Sequence, residues 1–222
     1  LRQYSVDGAV VASSTLPDGF ARAFKDAGVP VVHSFGRATS DPKVHIVGID
    51  NVESGRIAAR TLIERGYKRI AFLGGPLSAT STQDRHAGFV SETAKHPDIQ
   101  TSVSFAENYS FEAGRAEMLK LLKEQPAEAY FCGDDVLSIG VLSAIRESGL
   151  SCPGDIGVIG LNDMEMSRWE SINLTTIHQP IRQIVRSSIE LMIGMLDDPH
   201  RFPESRIFPC TVVERGTLRP AD

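Results

Sequence analysis

The side chains of this chain that could do chemistry recur in one kind of place, directly after short apolar runs. Asp50, the segment 76–85 with Ser81 and Arg85, Tyr109, Asp134 with Asp135, Asn162 with Asp163, and Gln179 each follow such a run. An arginine offers a planar fork that grips two oxygens of a sugar or a carboxylate. A carboxylate accepts from hydroxyl or amine donors, and an asparagine both donates and accepts. A tyrosine ring stacks on the C–H face of a sugar or on a flat base. Together these groups suit a noncovalent grip on a small polar molecule. Each also has a plainer use: Asp134 or Asp135 as a helix cap, Asp50 as a cap with Glu53 three residues on, Asn162 in a turn, Arg85 in a surface ion pair at a helix start.

Covalent and metal chemistry find less support. The six histidines show neither HxxxH nor HExxH spacing, so no metal is expected. There is no GxSxG elbow. Gly74-Gly75-Pro76 lacks the Lys-Ser/Thr of a phosphate loop and reads as a tight turn. The chain is therefore expected not to be an enzyme and to need no cofactor.

The elements that position these residues follow from periodicity. Strands are predicted at residues 6–13, 29–34, 44–49, 69–74, 102–106, 128–133, 156–161 and 174–178, with a closing strand at 206–214. Helices are predicted between them: one around Phe24, one ending at Gly66, then 84–94, Ser110 through Glu124, 135–148 and 181–196. Strands alternating with helices of this length mean βαβ units and parallel sheets, an α/β fold. Such sheets bind ligands beyond the carboxyl ends of their strands, where the polar residues above fall. Trp169 and Met164–Met166 are expected to lie in the core or cover it.

Composition bounds the function. The 222 residues are 41% hydrophobic with a net charge of −5, and Lys and Arg form no basic stripe, so this segment alone lacks the footprint of a DNA binder. No apolar run reaches the length that spans a membrane, and no export signal opens the sequence, so a cytoplasmic protein is expected. Cys132, Cys152 and Cys210 lie far apart and read as reduced thiols.

Several stretches make the sequence recognisable: VGIDNVESGRIAARTLIERGYKRIAFLGGP, the RHAGF at Arg85, YSFEAGRAEML, FCGDDVLSIGVLSAIRESGL, CPGDIGVIGLND, LTTIHQPI and VVERGTLRP. In that order they resemble the effector-binding core of the lactose-repressor (LacI/GalR) family of bacterial transcription regulators. The resemblance implies a periplasmic-binding-protein-like fold of two lobes. Residues 1–66 with 180–203 would form an N-lobe, and 67–178 with 204–222 a C-lobe. The crossings would lie near residues 66–68, 178–180 and 203–206.

It further implies a small effector, such as a sugar or polyol, held between the lobes by Arg85, Asp134, Asn162, Tyr109, Gln179, Ser81 and Asp50. Asp134 stands where the family usually has Asn, and Asn162 where it usually has Asp. Ala79 replaces the arginine of purine-reading members. The DNA-binding headpiece and the first β-α-β-α unit of the N-lobe have no counterpart here, so the N-lobe is expected to be incomplete. The implied function is the sensor and dimerisation part of a ligand-controlled repressor. That protein would be a homodimer through elements such as residues 135–148 with Ile139 and Leu142, and would meet operator DNA only through the missing headpiece. The alternative is a periplasmic sugar-binding protein of an ABC transporter.

Overall fold

The computed structural model describes residues 6–13, 17–198 and 201–220. The outer ends of the expected lobes, 1–5 and 221–222, lie outside the described residues, as do 199–200 within the expected N-lobe. The chain forms two compact units, residues 1–50 with 180–209 and residues 51–179 with 210–222.

The first stretch lays down β1 (Ala9–Ala12), α1 (Asp18–Asp26), β2 (Val31–Ser34) and β3 (His45–Ile49). The chain then enters the second unit through α2 (Asn51–Glu64) and runs β4 (Arg69–Gly74), α3 (Thr80–Thr93), β5 (Gln100–Phe105), α4 (Phe111–Leu121), β6 (Ala129–Cys132), α5 (Asp135–Glu147) and β7 (Gly157–Asn162). A 3-10 turn (Glu165–Arg168) leads to β8 (Thr176–His178). The chain returns to the first unit for α6 (Ile181–Asp197) and β9 (Ser205–Phe208), and ends in the second with β10 (Thr211–Val213).

The first unit's sheet has the order β1-β2-β3-β9, all parallel. The second unit's sheet runs β10-β8-β7-β6-β4-β5, parallel except for the antiparallel pair β10–β8. Alternation along its strands feeds two cores. Ala71, Leu73, Tyr130 and Cys132 face the layer of α4 and α5, while Ile70, Phe72, Ala129 and Phe131 face that of α2 and α3. Both helix pairs cross on glycines. A methyl group at Gly55 or Gly88 would run into the Arg85 or Val52 carbonyl, and one at Gly114 or Gly140 into those of Leu137 or Phe111.

Several expectations are corrected. The division falls after Asp50 and after Pro209, not near 66 and 203–206, because α2 packs on α3 and β9 pairs with β3. The expected closing strand is two strands in two sheets: Pro209 lies in the break between them, and a proline offers no N–H to a ladder. Helix α3 begins at Thr80, four residues early, which places Arg85 in its second turn rather than at its start. Helix α4 ends at Leu121, although Ser110 caps it as expected by accepting from the Ala113 N–H at 3.1 Å. Trp169 is 54% exposed, and Leu142, expected at a dimer interface, is buried in its own unit's core.

Candidate functional site

In the second unit the carboxyl ends of β4, β6, β7 and β8 point the same way, and adjacent strands of such a sheet lie about 4.8 Å apart. Arg85 is anchored there. Its Nε donates to Asn51 Oδ1 at 2.8 Å and its Nη1 to the Gly133 carbonyl, just past β6, at 2.6 Å. The side chain is buried and makes no ion pair among the described residues. Both partners are neutral oxygens, so the guanidinium keeps its full charge and the whole of its Nη2 group.

Asp134 follows Gly133 and caps α5, accepting from the Leu137 N–H at 2.8 Å. Burial pushes its pKa up, and the cap bond and the Arg85 charge counter this only in part. Asp135 is fully buried and accepts from the Thr176 hydroxyl at 2.5 Å and the Met164 N–H at 2.7 Å. Burial is the main cause of its pKa rising to about 6. With both oxygens occupied inside the protein, Asp135 ties α5 to β8 and to the segment after β7.

Tyr109 lies against the same strand ends. Its hydroxyl is 2.5 Å from that of Thr82, and its ring covers Gly75 so closely that a Cβ there would come within 2.5 Å of ring atoms. The same probe at Gly133 would sit 3.4 Å from the ring. Gly74-Gly75 therefore serves an aromatic ring at the mouth of the sheet as well as a turn.

One strand over, β7 ends in two successive left-handed residues, Asn162 at φ 124° and Asp163 at φ 55°. Asx side chains tolerate such angles better than most. Asp163 is a hub: it accepts from Arg215 at 2.5 Å, Arg168 at 2.9 Å and His178 Nδ1 at 3.0 Å. Burial pushes its pKa up, but these hydrogen bonds outweigh it and hold the carboxyl below its ordinary range. The hub fixes the turn from which Asn162, half-buried, projects.

Arg85, Tyr109 and Asp134 are thus brought together at the ends of β4 and β6, with Asn162 at the end of β7 next to β6 and buried Gln179 one residue beyond β8. Ser81 is buried in the first turn of α3, on the helix that carries Arg85. Asp50 is exposed and is the last residue of the other unit's first stretch. Asn51 and Gly133, which hold Arg85, were not among the expected site residues, while Thr82 and Gly75, which bear on Tyr109, lay in a segment and a turn already noted. The available signal was the polar residue directly after Asp50 and the glycine directly before Asp134. Among the described residues no group of three or more His, Cys, Asp or Glu could hold a metal ion, and no helix is long and apolar enough to cross a membrane.

Residues 59–218 match the family described as periplasmic binding protein-like domain. A relative, the HTH-type transcriptional repressor PurR of Erwinia tasmaniensis, is 30% identical over 98% of this chain, which spans only 65% of that relative's length. The solved complex of transcriptional regulator CelR with cellobiose superposes with a TM-score of 0.86 at 27% identity, covering 96% of this chain and 66% of that one. A LacI family regulator from Enterococcus faecalis with bound ribose superposes with a TM-score of 0.88 at 24% identity, covering 98% and 79%; at that identity the likeness is one of fold.

Proposed function

Since this chain belongs to the lactose-repressor (LacI/GalR) family, whose periplasmic binding protein-like core it matches, we propose that it is the effector-sensing part of a ligand-controlled transcriptional repressor. The effector is a small neutral polyhydroxyl compound, a sugar or polyol. The observation that carries this reading is Arg85: a buried guanidinium held by two neutral oxygens, with donors to spare, beside the desolvated carboxylate of Asp134. A charged donor group next to a charged acceptor matches vicinal hydroxyls, which both accept and donate, better than it matches an anion or a cation.

In this reading Arg85 binds ligand oxygens, Asp134 accepts a ligand hydroxyl, and Tyr109 stacks on the C–H face of the ring. Asn162, Gln179 and Ser81 complete the set within the second unit. CelR with cellobiose supports a sugar as the class. Ligand acts on the regulator only through its differential affinity for two forms. DNA contact belongs to a part of the longer protein outside this segment, in keeping with the net charge of −5 and the name of the HTH-type relative. That relative's name also favours a transcriptional regulator over a transporter's receptor.

Calorimetric titration of the chain with D-ribose and cellobiose tests the reading. One of them is expected to bind, and Arg85→Ala to abolish the heat. Unchanged affinity in Arg85→Ala would remove Arg85 from the site.

A further inference from the structure

Asn51 is the first helical residue of α2, one position past the cap, and its side-chain amide carries an oxygen that can only accept. Here that oxygen accepts from Arg85 Nε at 2.8 Å. We infer that Asn51 is the positioning residue of the ligand site: with the Gly133 carbonyl it fixes the plane and rotamer of the Arg85 guanidinium, so that the Nη2 group is presented to ligand. The inference rests on the ligand reading above and deepens it.

Three features support the assignment. The two bonds grip different nitrogens of one planar group, Nε and Nη1, from two elements, α2 and the end of β6. Two points of attachment on a rigid plane leave no torsional freedom to the third nitrogen. Next, the reach depends on how closely α2 and α3 cross. Gly55, one turn after Asn51, meets the Arg85 carbonyl and Phe89 N–H, while Gly88 meets the Val52 carbonyl. Larger residues there would separate the helices and stretch the bond. Finally, the partner is an amide and not a carboxylate. An aspartate would order Arg85 equally well but would neutralise it, whereas the amide leaves the charge uncompensated for ligand oxygens. Asn51 is also the first residue of the second unit, at the point where the chain arrives from Asp50. Ligand bound to Arg85 is therefore one hydrogen bond away from a chain crossing.

The experiment reads Arg85 directly. In the full chain labelled with 15N, the Arg85 Nε–H cross-peak is assigned by its loss in Arg85→Lys. It is expected to be resolved and slow to exchange in the wild type and in Asn51→Asp, and to join the averaged, fast-exchanging arginine signals in Asn51→Leu and Asn51→Ala. The alanine variant covers the case in which the leucine does not fold. A slow, unmoved cross-peak in both apolar variants overturns the inference. With D-ribose or cellobiose as probe, whichever the wild type binds, the apolar variants are expected to lose about tenfold or more in affinity, and equal affinity overturns the inference as well. If the wild type binds neither sugar, the ligand reading is what fails, and the cross-peak still decides whether Asn51 positions Arg85.

Discussion

The two units are built from the same β-α alternation, yet one sheet is closed on both faces and the other leaves part of its apolar surface bare. In the second unit six strands separate two cores, and Phe72, Phe131, Tyr130 and Tyr67 are all fully buried. In the first unit β2 and β3 are buried along their whole length, but alternate residues of β1 are exposed, Val10 among them. Residue types do not account for this, since the wholly apolar AVVA is the more exposed strand and VVHS, with its histidine and serine, the buried one. Neighbours do: among the described residues β2 lies between two strands, whereas β1 pairs on one edge only. The same contrast runs along α6. Ile184, Ser187, Ser188 and Leu191 face the sheet, while Ile181, Val185, Ile189 and Ile193, four residues apart, leave the flank exposed beside an open groove of about 530 Å³. A strand sequence specifies which face is apolar, but not whether anything arrives to cover it.

The largest effect that can test this contrast is a pair of phenylalanine truncations. Phe72 is enclosed by Phe89, Phe105, Phe131 and the His86 ring, with centroids 5.5 to 6.2 Å away. Phe72→Ala is expected to cost about 3–5 kcal/mol, read in urea by the fluorescence of Trp169, the one tryptophan. Phe20 is 54% exposed and packs edge-on against Phe24. Phe20→Ala should cost less than about 1 kcal/mol. Similar costs would mean that the first unit is as well covered as the second.

Much of this was legible in the sequence, for reasons that differ by residue. Strand β4 fell where the apolar run RIAFLG predicted it, because a strand buried on both faces is apolar throughout. The α/β class and the polar strand ends followed from the same pattern. The unit boundaries did not. Helix α2 reads as the end of one β-α unit, but its Gly55 lies against the Arg85 carbonyl and Phe89 N–H of the next helix, and nothing local in ESGRIAA says where its partner comes from. The closing apolar run hid a change of sheet at Pro209, since two short strands in line look like one long one. In the candidate site, Arg85, Tyr109, Asp134 and Asn162 were visible as residue types after strands. Asn51 and Gly133 were not, because they act on Arg85 through a side-chain amide and a backbone carbonyl from 34 and 48 residues away.

A middle-sized effect separates the polar interiors of the two units. Asp135 is a fully buried carboxyl whose pKa burial raises to about 6, and no carboxylate is buried to that extent among the described residues of the first unit. The folded state holds this proton more tightly than the unfolded chain. Its contribution to stability is therefore fully present below about pH 4 and is lost as pH rises through about 6. The full shift is worth about 3 kcal/mol. The stability of the wild type relative to Asp135→Asn is expected to fall by about that amount between pH 4 and pH 7, measured by urea unfolding at each pH. A difference that stays constant would mean that water reaches Asp135 and that the second unit's interior is less closed than described.

The smallest effect tests the bare flank of α6. Ile189 is 51% exposed and lies midway along the stripe, between Arg186 and Glu190 on the groove wall. An apolar side chain left half in water contributes little to folding, and a charge placed there loses little hydration. Ile189→Lys is expected to change stability by less than about 0.5 kcal/mol and to raise the solubility of the chain, because a contiguous apolar stripe invites association. A loss above about 2 kcal/mol would show that the flank is covered in solution. The contrast between the units would then belong to the isolated chain rather than to the protein at work. Concentration dependence of that loss would separate the two sources of cover: a second copy gives a stability that rises with protein concentration, and a contact within one chain does not.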